Sequence, residues 1–182
     1  MKSVFLFLAN GFEEIEAIAT LDVLLRGGVK AKTISVTGNT LVCGANGIKV
    51  NADELFEVVD FSGGDMLVLP GGMPGASNLN DHKKLKELLL TYAEQRKWLA
   101  AICAAPLVFG GLGLLHGRCA TVYPGFEHTL EGAKYQDAGV VRDGNIITGK
   151  GPGFALEFGL ALVEALVGKE KSDEVAHGLL KR

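Results

Sequence analysis

Apolar runs that end at glycine-rich turns dominate the pattern of hydrophobic and polar positions along the chain. The run at residues 4–8 has no polar side, as in a strand covered by helices on both faces. This pattern predicts strands at 4–8, 30–36, 66–69, 99–102 and 120–122, hairpins at 41–50 and 140–148, and a short helical or extended piece at 55–59. Apolar stripes and glycine stops predict helices at 13–26, 81–96, 104–109, 127–134, 154–167 and 171–180, the second capped by Asp81.

Strands that alternate with helices predict one doubly wound α/β domain over residues 1–182, with a mostly parallel sheet. In such a sheet, ligands bind beyond the carboxyl ends of the strands. Asn10, Gly71, Gly72 and Cys103 all follow predicted strands, so we expect them to gather in space. An N–H group of the Gly71-Gly72 pair, together with the N–H of Ala104, would then be suited to bind an oxyanion, although two glycines after a strand also fit an ordinary turn.

Cys103 lies where a predicted strand turns directly into a helix. Small residues two positions before and after it, Ala101 and Ala105, permit the tight turn of a nucleophile elbow, and Pro106 suits the first helical turn. A helix N-terminus beside the thiol favours the thiolate. The same local sequence fits a small buried cysteine equally well, because free cysteine is among the most buried residue types.

A reactive thiol needs a partner for its proton, and acids and one histidine are candidates. Acids in the first turn of the helix at 13–26 can merely complement its dipole. However, Glu14 and Asp22 lie inside the apolar arc of that helix and Glu16 lies at its edge, so these carboxyls need partners. His128, just beyond a strand end, is an alternative partner of Cys103, although a surface histidine is the commoner situation. Periodicity leaves this choice open.

Composition and charge exclude several other functions. The net charge is −3 with acids and bases interspersed, which argues against nucleic-acid binding and a basic membrane patch. No apolar run is long enough for a membrane span, and we interpret the first apolar run as a strand rather than a signal peptide. Three unpaired cysteines favour the cytoplasm, with Cys43 and Cys119 inert. The chain lacks zinc-ligand and dinucleotide-binding spacings, and residues 149–153 resemble a phosphate loop in composition only.

Several motifs together resemble the ThiJ/PfpI superfamily and, within it, the deglycase branch. They are ANGFEEIE at 9–16, LPGG at 69–72, AAICAAP at 100–106 and GPG at 151–153, with further similarity at 157–158 and 163–169. The likeness runs in order through nearly the whole chain, and the set is far more specific than any single glycine loop.

The resemblance implies a flavodoxin-like three-layer α/β/α sandwich of the class I glutamine amidotransferase type. It implies that Cys103 is the reactive thiol, that Glu16 is the carboxyl hydrogen-bonded to it, and that Gly72 and Ala104 supply N–H groups around the site. A protonated Glu16 that donates to the thiolate would lower the thiol pKa and raise its own. The resemblance implies no metal and no organic cofactor. Residues that could line the site are Tyr123, Gly71, Asn10 and His128.

The resemblance also implies a homodimer with the first helix in its interface. In that arrangement Glu14, Asp22 and Arg26 would find partners across the two-fold axis, which would explain acids in the apolar arc.

Two residues depart from the family pattern. Protease-like members carry a histidine directly after the cysteine, and here that residue is Ala104, which argues against peptidase activity. In the deglycase branch a histidine commonly precedes the proline after the next strand, and here Tyr123 precedes Pro124. A tyrosine with a pKa of about 10 cannot replace a histidine base near neutral pH.

The resemblance implies a cofactor-independent cysteine enzyme of the glyoxalase or protein deglycase type, acting on small reactive dicarbonyls or on glycated protein. The alternative is a redox-sensing stress protein or chaperone whose thiol is oxidised by peroxide. A weaker alternative, a role in thiamine thiazole metabolism, finds no thiazole-phosphate site among these residues. No nucleic-acid or membrane partner is expected.

Overall fold

The computed structural model describes residues 1–181, in which strands and α-helices alternate along most of the chain. The strands are β1 (Ser3–Leu8), β2 (Lys30–Ser35), β3 (Leu41–Cys43), β4 (Lys49–Asn51), β5 (Glu54–Leu55), β6 (Met66–Leu69), β7 (Trp98–Ile102), β8 (Cys119–Ala120), β9 (Lys134–Tyr135), β10 (Val140–Asp143) and β11 (Ile146–Gly149). The helices are α1 (Glu14–Arg26), α2 (Gly75–Asp81), α3 (Lys83–Glu94), α4 (Pro106–Gly111), α5 (Ala155–Val167) and α6 (Lys169–Gly178).

Seven strands form the central sheet in the order β10-β11-β7-β6-β1-β2-β5. All neighbours pair in parallel except β10 and β11, which form an antiparallel hairpin at the edge. The predicted mostly parallel α/β sheet flanked by helices is therefore confirmed. The neighbouring strands β1, β6 and β7 are apolar and almost wholly buried, because helices cover them on both faces.

The register of the central strands brings the candidate residues to one edge. Leu69 at the end of β6 pairs with Ala101, and β1 runs parallel to β6 on the other side. The N–H of Glu13, directly before α1, donates to the carbonyl of Gly71, just after β6, at 2.9 Å, so the first turn of α1 lies at the same end of the sheet. The ends of β1, β6 and β7 and the start of α1 thus converge, as expected for a doubly wound fold.

The predicted helix at 81–96 is wrong in its first turn. The chain forms two helices there, α2 and α3, separated by His82 in an extended conformation (φ −80°, ψ 96°). The cap of α3 is His82 rather than Asp81, since its Nδ1 accepts a hydrogen bond from the N–H of Leu85 at 3.0 Å. A histidine that receives this bond ends one helix and begins the next.

The predicted helix at 127–134 is also wrong. Only a single 3₁₀ turn forms at Glu127–Thr129, and Lys134–Tyr135 joins Cys119–Ala120 as a short parallel pair. Gly132 adopts a positive φ of 72°, which a continuing right-handed helix does not permit. The strand predicted at 120–122 is correspondingly shorter and starts one residue earlier.

No helix within residues 1–181 has both the length and the apolar character needed to cross a membrane.

Candidate active site

Cys103 occupies a strained turn between β7 and α4. Its φ is +63°, a left-handed conformation that non-glycine residues adopt only when the surroundings impose it. Its N–H donates to the carbonyl of Gly149 at 2.9 Å, and its carbonyl accepts from the N–H of Tyr123 at 2.9 Å. Pro106 begins α4 three residues later. The geometry is that of a nucleophile elbow, in which the last residue of β11 and the loop after β8 hold the cysteine backbone.

Glu16 reaches the elbow from the first turn of α1, and its side chain is fully buried. Its Oε2 accepts a hydrogen bond from the N–H of Gly71 at 2.8 Å. A Cβ atom at Gly71 would lie 2.6 Å from Cβ of Cys103 and 2.8 Å from Oε2 of Glu16. The carboxyl and the cysteine therefore meet over Gly71, a position where only glycine fits. The side chain of Glu13 caps α1 by accepting a hydrogen bond from the N–H of Glu16 at 2.7 Å, which fixes the position of the Glu16 backbone.

The second carboxyl oxygen of Glu16, Oε1, is buried and has no hydrogen-bond partner of good geometry within residues 1–181. The Cys103 thiol lies beside this carboxyl and is the group that can supply the missing bond. An unpaired buried acceptor is costly, so a proton shared between the thiol and the carboxyl stabilises the pair.

Burial controls the pKa values of both partners. Burial raises the pKa of Glu16 to about 7, with the charge of Glu13 acting in the same direction against the hydrogen bonds from Cys103 and Gly71. Burial also raises the pKa of the Cys103 thiol to about 12, and the ionised Glu16 carboxylate adds to this rise. That thiol value belongs to the state in which Glu16 has already lost its proton. The two groups therefore titrate as a pair that loses one proton near pH 7 and keeps the other above that pH.

Two backbone N–H groups, of Gly72 and Ala104, donate towards the sulfur and lower the thiol pKa. Gly72 adopts a φ of +86°, and a Cβ there would lie 2.4 Å from the backbone nitrogen of Glu13. Among residues 1–181, neither N–H has a backbone carbonyl as acceptor. Both are thus placed to stabilise negative charge on the sulfur or on an oxygen beside it.

A cavity of about 260 Å³ opens over the sulfur. Its walls are Glu13, Gly72, Met73, Cys103, Ala104, Tyr123, Phe126 and Pro152. The sequence predicts Tyr123 as a lining residue, and the structure places it there. Sequence reasoning counted Glu13 among the first-turn acids of the helix at 13–26 but missed Met73, Phe126 and Pro152 as walls. Position next to the LPGG motif was a signal for Met73, but no sequence signal brings Phe126 to the thiol.

Other candidate residues lie elsewhere or act differently. The N–H of Gly71 is engaged by Glu16, so Gly71 positions the carboxyl rather than lining the cavity. Asn10 faces away from the cavity: its side-chain oxygen accepts the N–H of Cys43 at 3.0 Å, which ties β3 to the end of β1. His128 is exposed in the 3₁₀ turn and is absent from the cavity walls, so it is not placed as the partner of Cys103.

The acids expected at a dimer interface have partners within the chain. Glu14 is buried and accepts from the N–H and the side-chain amide of Asn46 at 2.7 and 2.8 Å. Burial acts to raise the pKa of Glu14, but these hydrogen bonds outweigh it and lower the pKa from its ordinary value. Asp22 pairs with Arg26 one turn along the exposed face of α1 at 2.6 Å. Glu14 therefore needs no partner from a second copy.

Cys43 and Cys119 are free, half-buried thiols on β3 and β8. Each sulfur makes one long hydrogen bond within residues 1–181: the Cys43 thiol donates to the carbonyl of Gly44 at 3.7 Å, and the Cys119 sulfur accepts from the side-chain amide of Gln136 at 3.9 Å. Residues 1–181 contain no cluster of three metal-ligating side chains.

The protein has a flavodoxin-like fold in which a buried glutamate side chain lies beside a cysteine at a strand–helix elbow, at the C-terminal ends of the strands. This combination places it among the cysteine-elbow proteins of that fold. The chain matches the DJ-1/PfpI family over residues 2–165 and belongs to that family. Oxidized DJ-1 of Toxoplasma gondii has the same fold with a TM-score of 0.95 and 36% identity, over 99% of this chain and 98% of that chain.

Two curated relatives support the assignment. Protein DJ-1 homolog A of Arabidopsis thaliana is 41% identical over 184 residues, which cover 100% of this chain but 47% of the relative, so the chain spans about half of that protein. Glutathione-independent glyoxalase DJR-1.2 of Caenorhabditis elegans is 37% identical over 164 residues, covering 90% of this chain and 87% of the relative. A related protein of similar length is thus named as a glyoxalase.

Proposed function

We propose that the protein is a cofactor-independent enzyme that converts small reactive dicarbonyls to 2-hydroxy acids, with Cys103 as the nucleophile. The observation that carries this proposal is the Glu16 carboxyl placed over Gly71 beside the thiol, in a cavity that admits small molecules. The glyoxalase name of the Caenorhabditis elegans relative supports the same reaction class. An aminocarbinol on a glycated protein carries the same reacting carbons and is the second substrate class.

The proton that the pair keeps is better placed on Glu16 than on the sulfur. A thiolate at Cys103 receives the N–H groups of Gly72 and Ala104 and, in addition, the O–H of protonated Glu16. A carboxylate at Glu16 receives the N–H of Gly71 and only a thiol, which is a weak donor. The sulfur also retains slight exposure, whereas Glu16 has none. Protonated Glu16 thus holds a thiolate ready for attack.

The reaction needs no oxidant or reductant. The thiolate attacks the aldehyde carbon of R–CO–CHO, and the oxygen takes the negative charge beside the N–H groups of Gly72 and Ala104. Protonated Glu16 gives its proton to this oxygen and, now a carboxylate, takes the proton from the sulfur-bound carbon to form an enediolate. The hydroxyl proton passes to the neighbouring oxygen and Glu16 returns the carbon's proton to the neighbouring carbon, so the sulfur-bound carbon becomes a thioester and the neighbour becomes an alcohol. Glu16 stays a carboxylate until hydrolysis returns its proton. Water cleaves the thioester, which releases the 2-hydroxy acid and restores Cys103. Methylglyoxal gives lactate and glyoxal gives glycolate.

The test is the consumption of methylglyoxal and the formation of lactate by the wild type, Cys103→Ser and Cys119→Ser. We expect Cys103→Ser to lose activity to the background rate and Cys119→Ser to keep it, because Cys119 is not among the walls of the cavity over the Cys103 sulfur. Equal rates in the wild type and Cys103→Ser would end this proposal.

Redox sensing is a second candidate function, and the donors around the sulfur favour it. The N–H groups of Gly72 and Ala104 and a protonated Glu16 would also hold the oxygens of an oxidised sulfur. Free thiols at all three cysteines fit the reducing cytoplasm, where such a sensor would act. Mass spectrometry after mild peroxide treatment tests the idea: Cys103 should oxidise first, and earlier oxidation of Cys43 would contradict it.

We further propose a homodimer formed through α1. Ile15, Ile18 and Leu25 are exposed at helical spacing on its outer face, beside the Asp22–Arg26 pair. An exposed apolar stripe of this kind is typical of an interaction surface. Sedimentation should show twice the chain mass for the wild type and the single chain mass for Ile18→Arg. A monomeric wild type would contradict the proposal.

A further inference from the structure

A second cavity of about 300 Å³ adjoins the one over the sulfur. Its walls are Tyr123, Pro124, Lys150, Gly151, Pro152, Gly153 and Phe154. Tyr123 and Pro152 line both cavities, so these two side chains form the partition between them. Only the side chains of Tyr123 and Pro152 therefore separate the second cavity from the cavity over the reactive thiol.

The second cavity is mainly apolar. Its charged residue, Lys150, is paired with Asp137, so the ammonium already has a partner. The remaining walls are rings and glycine backbone. Such a lining favours an apolar group, because burying a polar group there without a partner is costly.

Within the partition, the backbone of Tyr123 is held in place, whereas its ring is free to change position. The N–H of Tyr123 donates to the carbonyl of Cys103 at 2.9 Å, which ties this wall to the elbow. A Cβ at Gly151 would lie 3.2 Å from Cδ2 of the Tyr123 ring, so the ring packs closely over that backbone. The ring is nevertheless half-exposed, which leaves room for it to move when a ligand reaches across.

We propose that the second cavity is the subsite for the substituent R of the dicarbonyl R–CO–CHO, and that the enzyme prefers an aromatic or branched alkyl group there. This inference rests on the proposed function. The sulfur attacks the aldehyde carbon, and R is attached to the next carbon, so a bound substrate extends R from the first cavity across the partition. Hydrogen in glyoxal and methyl in methylglyoxal leave the second cavity unfilled. A phenyl ring fills it and gains the burial of its apolar surface.

The test measures alkylation of Cys103 and so does not depend on turnover. The thiolate displaces bromide from 2-bromoacetophenone or bromoacetone, forming a C–S bond to a carbon that bears a phenyl or a methyl ketone. The ratio of the two second-order rate constants, divided by the same ratio for glutathione, reports the preference of the protein for phenyl. We expect a value of about ten for the wild type. A value of one would overturn the proposal.

Two variants change the cavity in opposite ways. Phe154→Ala removes one wall and should lower the normalised ratio several-fold. Gly153→Leu adds a side chain where a Cβ meets no atom within 4 Å, so the larger residue is accommodated and reduces the space for phenyl. Its ratio should fall to about one. Val58→Ala, an exposed apolar residue in another cavity at the opposite end of the sheet, is the matched control and should keep the wild-type ratio. An unchanged ratio in Gly153→Leu would contradict the assignment.

Turnover separates failure of this inference from failure of the proposed function. Phenylglyoxal should give mandelate with a higher kcat/KM than methylglyoxal gives lactate, and Gly153→Leu should reverse the order. A phenyl preference in alkylation without any dicarbonyl turnover would keep the subsite and remove the enzyme reaction. Turnover of methylglyoxal with no phenyl preference in either assay would keep the enzyme and overturn the subsite.

Discussion

Glu14 and Glu16 lie two residues apart in the same turn of α1, and both are buried, yet their pKa values move in opposite directions. Glu14 binds the loop between β3 and β4, where the N–H and amide of Asn46 surround its carboxylate. Glu16 points to the elbow, where the N–H of Gly71 is its single donor of good geometry within residues 1–181. Burial alone therefore does not make a carboxyl reactive.

The surroundings of Glu14 and Glu16 differ in the number of hydrogen-bond donors that each carboxyl receives. Glu14 is held as a charged group that fastens a loop, whereas Glu16 is left short of donors beside a thiol that can share its proton. The comparison assigns a structural role to the first carboxyl and a chemical role to the second.

The largest expected difference is in turnover. Glu16→Gln should lower methylglyoxal turnover about a thousandfold, because proton transfer by a positioned carboxyl contributes on the order of 10²–10⁴. Glu14→Gln, which keeps a side chain of the same shape away from the cavity, should stay within about threefold of the wild type. Steady-state kinetics on both variants checks this, and equal losses would erase the distinction between the two acids.

The second largest difference between Glu16 and Glu14 should be in how the free energy of unfolding depends on pH. The first proton of the Cys103–Glu16 pair leaves near pH 4.5 in the unfolded chain, from Glu16, and leaves the folded pair with a pKa of about 7, so the contribution of the pair is fully present below pH 4.5 and is lost as the pH rises through 7. The loss is at most about 3 kcal/mol. Chemical denaturation between pH 4.5 and 8 should show this loss in the wild type and not in Glu16→Gln. Parallel curves would contradict the raised pKa.

Glu14 should contribute to the free energy of unfolding in the opposite pH range. Its pKa is lowered in the fold, so its contribution is present above pH 4.5 and is lost as pH falls through the folded value. At neutral pH, Glu14→Ala should reduce the free energy of unfolding by about 2 kcal/mol, because it removes the hydrogen bonds that the N–H and amide of Asn46 donate to a charged carboxylate. Glu157→Ala, at an exposed pair with Lys181, is the control and should change it by less than about 0.5 kcal/mol. Similar effects of the two variants would show that Glu14 is not a structural anchor.

The smallest effect is expected at the third acid of α1. Asp22 pairs with Arg26 in solvent, so Asp22→Ala should change the free energy of unfolding by less than about 0.5 kcal/mol at low protein concentration. A dilution series of denaturation curves measures it. A larger loss at the lowest concentration would show that this exposed pair stabilises the single chain.

Much of the fold follows from the sequence because it depends on local pattern. The buried runs at β1, β6 and β7 are apolar on both faces and are predicted within one residue. The break between α2 and α3 is not predictable from periodicity, because it depends on the His82 ring accepting the N–H of Leu85. The helix expected at 127–134 stops likewise after one turn, because Leu130 leaves the helical conformation (φ −83°, ψ 63°) and Gly132 has a positive φ, and periodicity predicts neither.

The site was predictable in part. Strand-end position identifies Cys103 and the Gly71-Gly72 pair, but the choices of Gly72 within that pair and of Glu16 over Glu14 came from family resemblance, since both acids lie at or inside the same apolar arc. The structure supplies the physical reason for that choice: Gly71, far away in sequence, lies against Cys103 and Glu16 at once. Contacts of this kind depend on tertiary packing, as do the walls formed by Phe126 and Pro152.

The most direct test of the Cys103–Glu16 pair is the pH dependence of Cys103 alkylation by iodoacetamide in the wild type and in Glu16→Gln. A protonated Glu16 that holds a thiolate predicts a wild-type midpoint well below the ordinary thiol pKa of 9.0 and a clear upward shift in Glu16→Gln. Coincident profiles, or a wild-type midpoint above 9.0, would contradict the account.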